Sequence, residues 1–122
     1  MNARDMFDLT GKTALITGAG GLLGPKHAEA IIEFGGNVIL TDHHLDRAEE
    51  KARQLNEKYN RDCAVAYHMD VTDPKSVQAV VHLCGKIDIL INNAAKDPKV
   101  KARLKKAYEY AKKRKEASKR KT

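Results

Sequence analysis

The chain alternates between short apolar runs and longer segments with helical periodicity. Four runs, each bounded by turn residues, have the length and composition of buried strands. They are Thr13–Thr17, Asn37–Asp42, Ala64–Met69 and Ile87–Ile91. In the segments between them, apolar residues recur every three or four positions, which is typical of helices that bury one face. Strands that alternate with helices predict strand–helix–strand units and a parallel sheet.

Local signals define the ends of three predicted helices. In the first, the apolar residues at helical spacing are Leu22, Leu23, Ala28, Ile31, Ile32 and Phe34. Pro25 falls in its first turn, where a missing N–H costs no helical hydrogen bond, and Gly35-Gly36 can cap its end. The other two predicted helices run from Leu45 to about Tyr59 and from Asp73-Pro74 to about Cys84.

These elements predict an α/β fold with three layers, α/β/α, around a four-stranded parallel sheet. The right-handed crossover rule favours the strand order 3-2-1-4, which is half of a doubly wound Rossmann fold. Helices one and two would cover one face of the sheet and helix three the other, because a parallel sheet needs both faces covered. An apolar stripe near the C-terminus predicts a fourth helix beside the third; its residues are Val100, Leu104, Ala107, Tyr108 and Ala111.

The charge is distributed unevenly along the 122 residues, whose formal net charge is +7. Residues 1–95 contain 10 basic and 13 acidic side chains, whereas residues 96–122 contain 13 basic and 3 acidic ones. The basic character therefore belongs to the C-terminal tail. We expect a solvated helix end there rather than specific nucleic-acid binding, because no recognisable reading motif or base-stacking array accompanies the charge.

A glycine-rich segment, TGAGGLLG at 17–24, lies between the first predicted strand and the first helix. Glycines permit a tight turn and a close approach of the backbone to a bound group. A helix N-terminus adds N–H groups and the positive end of its dipole. A glycine pattern alone is weak, because many turns contain glycine, but its position within a strand–turn–helix unit favours a cradle for a diphosphate.

Asp42 ends the second predicted strand, 18 residues after Gly24. A carboxylate there can accept hydrogen bonds from an adenosine ribose and repels a 2′-phosphate, so it favours NAD over NADP. The structural alternative is that Asp42 caps the helix that follows. His43 and His44 come next and could flank an adenosine, although exposed loop histidines are commoner. The remaining histidines fit no metal spacing, and we expect no metal site; they are His27, His68 and His82.

Four features, in order over about residues 7–95, resemble the N-terminal half of a short-chain dehydrogenase/reductase. They are the loop TGAGGLLG, Asp42, Asp70-Val71 after the third strand, and NNAA at 92–95, where the phrase IDILINNAA is the most specific. The resemblance implies an NAD(H)-binding domain, with NAD as the cofactor and a dinucleotide or adenine nucleotide as the ligand. We expect one such NAD(P)-binding Rossmann-like domain over 1–122, with 7–95 as the family-like part and 96–122 as a basic helix and tail.

The resemblance also implies roles for single residues. The residues implied to line the pyrophosphate and adenosine are Gly18, Gly20, Gly21, Leu23 and Gly24. Asp70 would contact the exocyclic amino group of the adenine, and Val71 would contact the adenine through its backbone. The residues implied to support the fourth strand and pass near the ribose are Asn92, Asn93, Ala94 and Ala95. Alternatively, Asp70 begins the turn before the third helix, and the two asparagines satisfy loop backbone.

The sequence also departs from the family pattern. The common loop is TGxxxGxG, whereas the glycines here fall at 18, 21 and 24, a spacing that resembles the family's extended members. The helix before Gly85 looks shorter than usual. After NNAA, no fifth strand carrying the family's catalytic serine is readable. We therefore expect a truncated or engineered cofactor-binding half, without activity of its own.

A literal YxxxK pattern, Tyr108 to Lys112, lies in the tail. In the family this tyrosine is the general acid/base at the substrate carbonyl, and the lysine lowers its pKa. Because Tyr108 also belongs to the apolar stripe, a structural role at the edge of the core is the favoured interpretation. The rival hypothesis is a residual or oligomer-dependent NAD-dependent oxidoreductase that uses Tyr108 and Lys112.

The fourth strand suggests another class of function, a structural or self-associating module. Without a fifth strand beside it, this strand would be an apolar edge that invites a homodimer. No apolar run is long enough for a membrane span. Cys63 and Cys84 match no metal or CxxC spacing, and no apolar signal segment opens the chain, so we expect a cytoplasmic protein.

Overall fold

The computed structural model describes residues 7–21 and 24–93, together with Lys106 and Glu109. Within these residues, four strands alternate with three helices, as the hydrophobic pattern predicts. The strands are β1 (Thr13–Thr17), β2 (Asn37–Asp42), β3 (Ala64–His68) and β4 (Ile89–Asn92). The helices are α1 (Gly24–Glu33), α2 (Leu45–Tyr59) and α3 (Pro74–Cys84). The predicted ends of α2 and α3 are confirmed.

The four strands form one parallel sheet in the order β3-β2-β1-β4, which confirms the predicted topology. In the central strand β1, Leu15 pairs with Ile39 of β2 and with Leu90 of β4. At the carboxyl end of the same strand, Thr17 pairs with Thr41 and Asn92. The loops that follow these strands therefore start side by side at one edge of the sheet.

Each face of the sheet carries its own apolar cluster, because successive side chains of a strand point to opposite faces. The first cluster lies under α1 and α2 and includes Ile16, Leu40, Ala28, Ile32 and Leu55. The second cluster lies under α3 and includes Leu15, Ile39, Val77, Val80 and Val81. The predicted three-layer arrangement, with two helices on one face and the third on the other, is confirmed.

The prediction that the fourth strand begins at Ile87 is wrong by two residues. The backbone N–H of Asp88 donates to the carbonyl oxygen of Thr13 at 2.9 Å, and Asp88 Oδ2 accepts the N–H of Thr13 at 2.9 Å. The Asp88 side chain thus accepts the N–H of Thr13 in place of a backbone carbonyl oxygen of a longer strand. β4 therefore begins at Ile89. The pKa of Asp88 is lowered, chiefly by the hydrogen bond from the Thr13 N–H. β3 likewise ends at His68, one residue earlier than predicted.

The end of α1 corrects the predicted role of Phe34. The helix ends at Glu33, and the N–H of Gly35 donates to the carbonyl oxygen of Ile32 at 2.9 Å, with Gly35 at a φ of +96°. This turn carries Phe34 off the buried face of the helix. Phe34 is 41% exposed, and its ring meets the Phe7 ring edge-on, with the ring centroids 6.3 Å apart.

The predicted fourth helix falls almost wholly on residues outside the described ones. Lys106 and Glu109 are both helical and exposed, and neither belongs to the apolar stripe of the sequence. The stripe itself, and its predicted packing beside α3, lie outside the described residues. In the part of the chain that is described, no helix combines the length and apolar character needed to span a membrane.

Candidate functional site

The loop after β1 folds back tightly against the end of β2. Gly18 has a φ of +63°, a conformation that glycine adopts without steric cost. The N–H of Gly21 donates to the Gly18 carbonyl oxygen at 3.1 Å, and the N–H of Ala19 donates to the Thr41 carbonyl oxygen at 3.0 Å. Two backbone hydrogen bonds therefore fix the loop in a tight turn beside β2.

Gly20 lies where this loop approaches the second strand most closely. Its N–H donates to Asp42 Oδ2 at 2.9 Å. A Cβ at this position would lie 2.6 Å from the Cβ of Arg47 and 3.0 Å from Asp42 Oδ2. Because real Cβ contacts are longer than this, the hydrogen bond to Asp42 requires glycine here.

Gly24 and Gly21 differ sharply in their surroundings. Gly24 is buried at the start of α1, and a Cβ there would lie 2.5 Å from the Cα of Ala19 and 2.8 Å from its carbonyl oxygen. Gly21 is exposed, and among the described residues a Cβ there would meet only the Gly18 carbonyl oxygen, at 3.4 Å. Gly24 thus allows helix and loop to pack closely, whereas Gly21 is in no such tight contact with the described residues.

The Asp42 carboxylate joins the glycine loop to the start of α2. While Oδ2 accepts the Gly20 N–H, Oδ1 accepts the N–H of His44 at 2.8 Å. An ionised carboxylate has about four acceptor positions, so further donors can still bind. The alternative that Asp42 is the N-cap of α2 is wrong, because His44 occupies that position.

Asp70 and Val71 follow β3 at the same edge of the sheet. Asp70 Oδ1 accepts the N–H of Thr72 at 2.9 Å and its hydroxyl at 2.6 Å. The Thr72 hydroxyl is the largest cause of a lowered pKa at Asp70, followed by the Thr72 N–H. Val71 is half-buried against the cluster under α3. Asp70 therefore builds the turn before α3, and its Oδ2 accepts none of these bonds.

Asn92 and Asn93 connect the end of β4 to the glycine loop through Thr17. The Thr17 hydroxyl donates to Asn92 Oδ1 at 3.2 Å and accepts the backbone N–H of Asn93 at 3.1 Å. The side-chain amide of Asn93 donates to the Gly18 carbonyl oxygen at 3.3 Å. These contacts bring the asparagine pair and the glycine loop, about 75 residues apart in sequence, into one network.

The other predicted site residues lie outside the described part of the chain; they are Leu23, Ala94, Ala95, Tyr108 and Lys112. Two residues outside the predicted site belong to the described network. Thr17 is the centre of the contacts to the asparagines, and Thr41 is fully buried, with its hydroxyl donating to the Ile16 carbonyl oxygen at 3.0 Å. Each threonine lies near the end of a predicted strand beside this edge, which is the signal that could have identified it.

Three histidine side chains lie close together where β2 and β3 end, at this same edge of the sheet. The ring centroid of His43 lies 5.2 Å from that of His44 and 5.9 Å from that of His68. His68 of β3 is the register partner of Asp42 on β2. Among the described residues, no group of three or more His, Cys, Asp and Glu side chains is arranged to hold a metal ion.

Together these features define a class of protein. A parallel sheet in the order 3-2-1-4, a glycine turn leading into a helix, and a carboxylate at the end of the second strand are the elements of a Rossmann-type dinucleotide-binding fold. A family model described as short chain dehydrogenase matches residues 12–117. The chain therefore belongs to the short-chain dehydrogenase family, whose members bind a nicotinamide dinucleotide.

Individual relatives agree with this assignment. The chain is 38% identical, over 91 residues, to a trans-4-hydroxycyclohexanecarboxylate dehydrogenase of Sinomonas cyclohexanicum, covering 68% of this chain and 35% of that protein. It superimposes on a hydroxysteroid dehydrogenase from Escherichia coli with a TM-score of 0.69 and 31% identity, covering 77% and 40% of the two chains.

A third comparison includes a bound cofactor. A protein from Haemophilus influenza described as a D-mannonate oxidoreductase, solved with bound NAD, matches with a TM-score of 0.67 and 30% identity, covering 80% of this chain and 36% of that one. The chain spans about a third of the length of the curated relatives it matches.

Proposed function

We propose that this chain binds NAD at the edge of the sheet where the glycine loop meets Asp42. The observation that carries the proposal is the 2.9 Å hydrogen bond from the Gly20 N–H to Asp42 Oδ2. It holds the loop against the end of β2, where the adenosine ribose binds in this fold, and so supports a role for the Asp42 carboxylate in ribose binding. The negative charge of Asp42 opposes a 2′-phosphate, which favours NAD over NADP.

The start of α1 supports a role in binding the diphosphate. Its first turn contains no acidic residue, and the residues before it, Leu22 and Leu23, have no side-chain acceptor. The helix dipole and the N–H groups of the first turn favour an anion there. The exposed position of Gly21 would allow phosphate oxygens to approach its backbone.

The adenine and nicotinamide sides of the proposed site rest on the turns after β3 and β4. We assign Asp70 to the adenine amino group because its Oδ2 accepts none of the bonds that build its turn. Val71 would contact the adenine through its backbone. The proposal places Asn92 and Asn93 near the ribose, held by Thr17, and extends the cradle to Leu23, Ala94 and Ala95.

We further propose that this chain acts in a reducing compartment such as the cytoplasm. We also propose that the chain alone binds the cofactor without turning over a substrate. In the sequence, residues 96–107 contain no serine before the YxxxK of Tyr108 and Lys112. A carbonyl substrate would therefore find no serine hydroxyl beside this tyrosine, where the family places one. Turnover of simple alcohols or ketones that is lost in Tyr108→Phe would instead support the oxidoreductase hypothesis.

Calorimetric titration tests the cofactor proposal. We expect NAD and AMP to bind and NADP to bind more weakly. In Asp42→Asn, which keeps the size of the side chain, NAD binding should weaken by about tenfold to a hundredfold, because hydrogen bonds to a charged acceptor contribute roughly 1.5–3 kcal/mol. Asp62→Asn, at an exposed position between α2 and β3, is the matched control and should bind as the unaltered chain does. No binding of any of the three nucleotides at millimolar concentration would contradict the proposal.

A second candidate function, self-association, rests on β4. Within the described sheet β4 is an edge strand, and its four residues Ile89–Asn92 are only half-buried. Such an edge can pair with the same strand of a second chain. Sedimentation over a range of concentrations tests this idea: a dimer that dissociates on dilution would support it, and a monomer at the highest concentration would rule it out.

A further inference from the structure

The first turn of α2 begins a basic side chain beside the carboxylate that opposes a 2′-phosphate. The point where a Cβ would lie on Gly20 is 2.6 Å from the Cβ of Arg47 and 3.0 Å from Asp42 Oδ2. The Gly20 N–H also donates to Asp42 Oδ2 at 2.9 Å, which holds the loop in this position. The Arg47 side chain therefore starts next to the Asp42 carboxylate, with the backbone of Gly20 in contact with both.

The direction of α2 brings the rest of this side chain toward the proposed site. Arg47 lies in the first turn of the helix, which follows β2 and so begins at the carboxyl edge of the sheet. Side chains of a helix lean toward its N-terminus. Arg47 is also exposed. We therefore expect its guanidinium to extend along the sheet edge where the ribose of the proposed ligand would lie.

The guanidinium of Arg47 differs from that of Arg53 in the same helix. Arg53 forms ion pairs with Glu50 and Glu57, which offset its charge. Within the part of the chain that the structure describes, the Arg47 side chain makes neither an ion pair nor a hydrogen bond. A guanidinium presents N–H donors in a planar fork that matches the oxygens of a phosphate. Arg47 therefore has both the charge and the donors to bind a phosphate beside Asp42.

We propose that Arg47 is a specificity-determining residue that offsets the repulsion between Asp42 and a 2′-phosphate. This inference rests on the proposed function, because it concerns the ribose end of the same nucleotide site. Asp42 sets the preference for ligands without a 2′-phosphate, and Arg47 limits how strong that preference is. Asp46 in the same helical turn and Asp70 after β3 add negative charge at this edge, so loss of Arg47 would leave their repulsion unopposed.

The experiment compares adenosine 2′,5′-bisphosphate with 5′-AMP by calorimetry. Both are measured at about pH 8 only, where phosphate monoesters are almost fully ionised, so protonation of the ligand does not contribute. The measured quantity is the ratio of the two association constants, bisphosphate over 5′-AMP. In Arg47→Gln we expect this ratio to fall on the order of fivefold, because partly solvated charges interact only moderately. In Arg47→Lys, which keeps the charge, most of the ratio should remain, and in Asp42→Asn it should rise.

The variant Lys51→Gln is the matched control. It removes the same charge from the same face of α2, but one helical turn further from the carboxyl edge. Because solvent and salt screen the longer separation, its ratio should stay within about twofold of that of the unaltered chain.

Four results would overturn the inference while binding of 5′-AMP keeps the proposed function intact. They are an unchanged ratio in Arg47→Gln, an equal fall in Lys51→Gln, an equal fall in Arg47→Lys, and no binding of the bisphosphate by the unaltered chain at millimolar concentration. Equal weakening of both ligands in Arg47→Gln is one form of the first result and would place Arg47 at the adenine instead. If the unaltered chain does not bind 5′-AMP, the proposed function and this inference are both overturned.

Discussion

Two turns of the molecule lead from a parallel strand into a helix, but they differ in the side-chain acceptors that they offer to the backbone N–H groups. In the β3–α3 turn (residues 69–73), the side chain of Asp70 accepts the N–H of Thr72, and the side chain of Asp73 accepts the N–H of Lys75 at 3.0 Å. In the β1–α1 turn (residues 18–23), glycines and leucines precede the helix, and the first turn of α1 has no acidic residue.

The difference indicates which of the two turns suits the diphosphate. A helix start leaves backbone N–H groups that need acceptors, and the β3–α3 turn supplies one from Asp73, with Pro74 removing another donor. The β1–α1 turn contributes no such acceptor from Gly20, Gly21 or the two leucines. Pro25 removes one donor at the start of α1 as well, but a bound anion can accept the N–H groups for which the glycine turn offers no side-chain acceptor, which is why that turn is the proposed diphosphate site.

The largest effect is expected from Gly24→Ala, which would break the close packing in the β1–α1 turn. The added methyl group would lie 2.5 Å from the Cα of Ala19, a backbone atom that cannot rotate away. Overpacking of this kind costs roughly 1–3 kcal/mol, and we expect the upper end of that range in the free energy of unfolding measured with urea. Gly21→Ala is the control: its stability should change by less than about 0.5 kcal/mol, while NAD binding weakens. Equal stability losses in the two variants would contradict the distinction.

The next largest effect tests the contact that fastens this turn to β2. Gly20→Ala would push a methyl group against the Cβ of Arg47, at 2.6 Å, and against Asp42 Oδ2, at 3.0 Å. Because the Arg47 Cβ is fixed to the helix backbone, the loop itself must shift away from it, and we expect a stability loss of about 1–2 kcal/mol together with weaker NAD binding. Both follow from the lost hydrogen bond between the Gly20 N–H and Asp42. Thermal unfolding and calorimetry measure the two effects, and unchanged NAD affinity would argue against a role for this bond in binding.

The fold was predictable from the sequence because its main signals are local. The helix start at Asp73-Pro74 and the helical pattern from Leu45 to Tyr59 each depend on residues a few positions apart, and both are confirmed. The start of β4 was mispredicted because the deciding contact, from Asp88 to the N–H of Thr13, joins residues 75 positions apart. The prediction that Phe34 lies on the apolar face of the helix was wrong because the helix ends just before this residue. Hydrophobic spacing does not indicate where that turn begins.

The site was predictable to the level of its segments but not to the level of single contacts. The glycine pattern does not distinguish Gly20, Gly21 and Gly24 from one another. Only their neighbours in space show that Gly20 closely approaches the second strand, that Gly21 is exposed and that Gly24 packs at the start of a helix. Thr17 was not selected because its partners, Asn92 and Asn93, belong to another strand. Sequence spacing identifies which loops meet at the sheet edge, whereas the hydrogen bonds between them depend on side-chain positions.

A smaller effect is expected in the β3–α3 turn from Asp73→Ala. Loss of an N-cap side chain costs about 1 kcal/mol, because the N–H of Lys75 loses its acceptor. Since this turn already satisfies its own backbone, we expect the stability to fall while the affinity for AMP, corrected for the folded fraction, stays the same. Urea unfolding and calorimetry on the same samples measure both quantities. Weaker AMP binding by the folded protein would show that the Asp73 cap also holds the proposed adenine contacts of Asp70 and Val71 in place.

The smallest effect concerns the titration of Asp70, which belongs to the same turn. Because its folded-state pKa lies below the ordinary aspartate value, chiefly through the Thr72 hydroxyl, its contribution to stability is present above the unfolded pKa. That contribution is lost as the pH falls through the lowered folded pKa. In Thr72→Val the pKa of Asp70 should rise toward the ordinary range, measured by NMR titration of the carboxyl carbon. Thr10→Val removes a matching hydroxyl bond to Asp8, at 2.5 Å, and should leave Asp70 unchanged. If the two variants shift Asp70 equally, the Thr72 hydroxyl is not the cause.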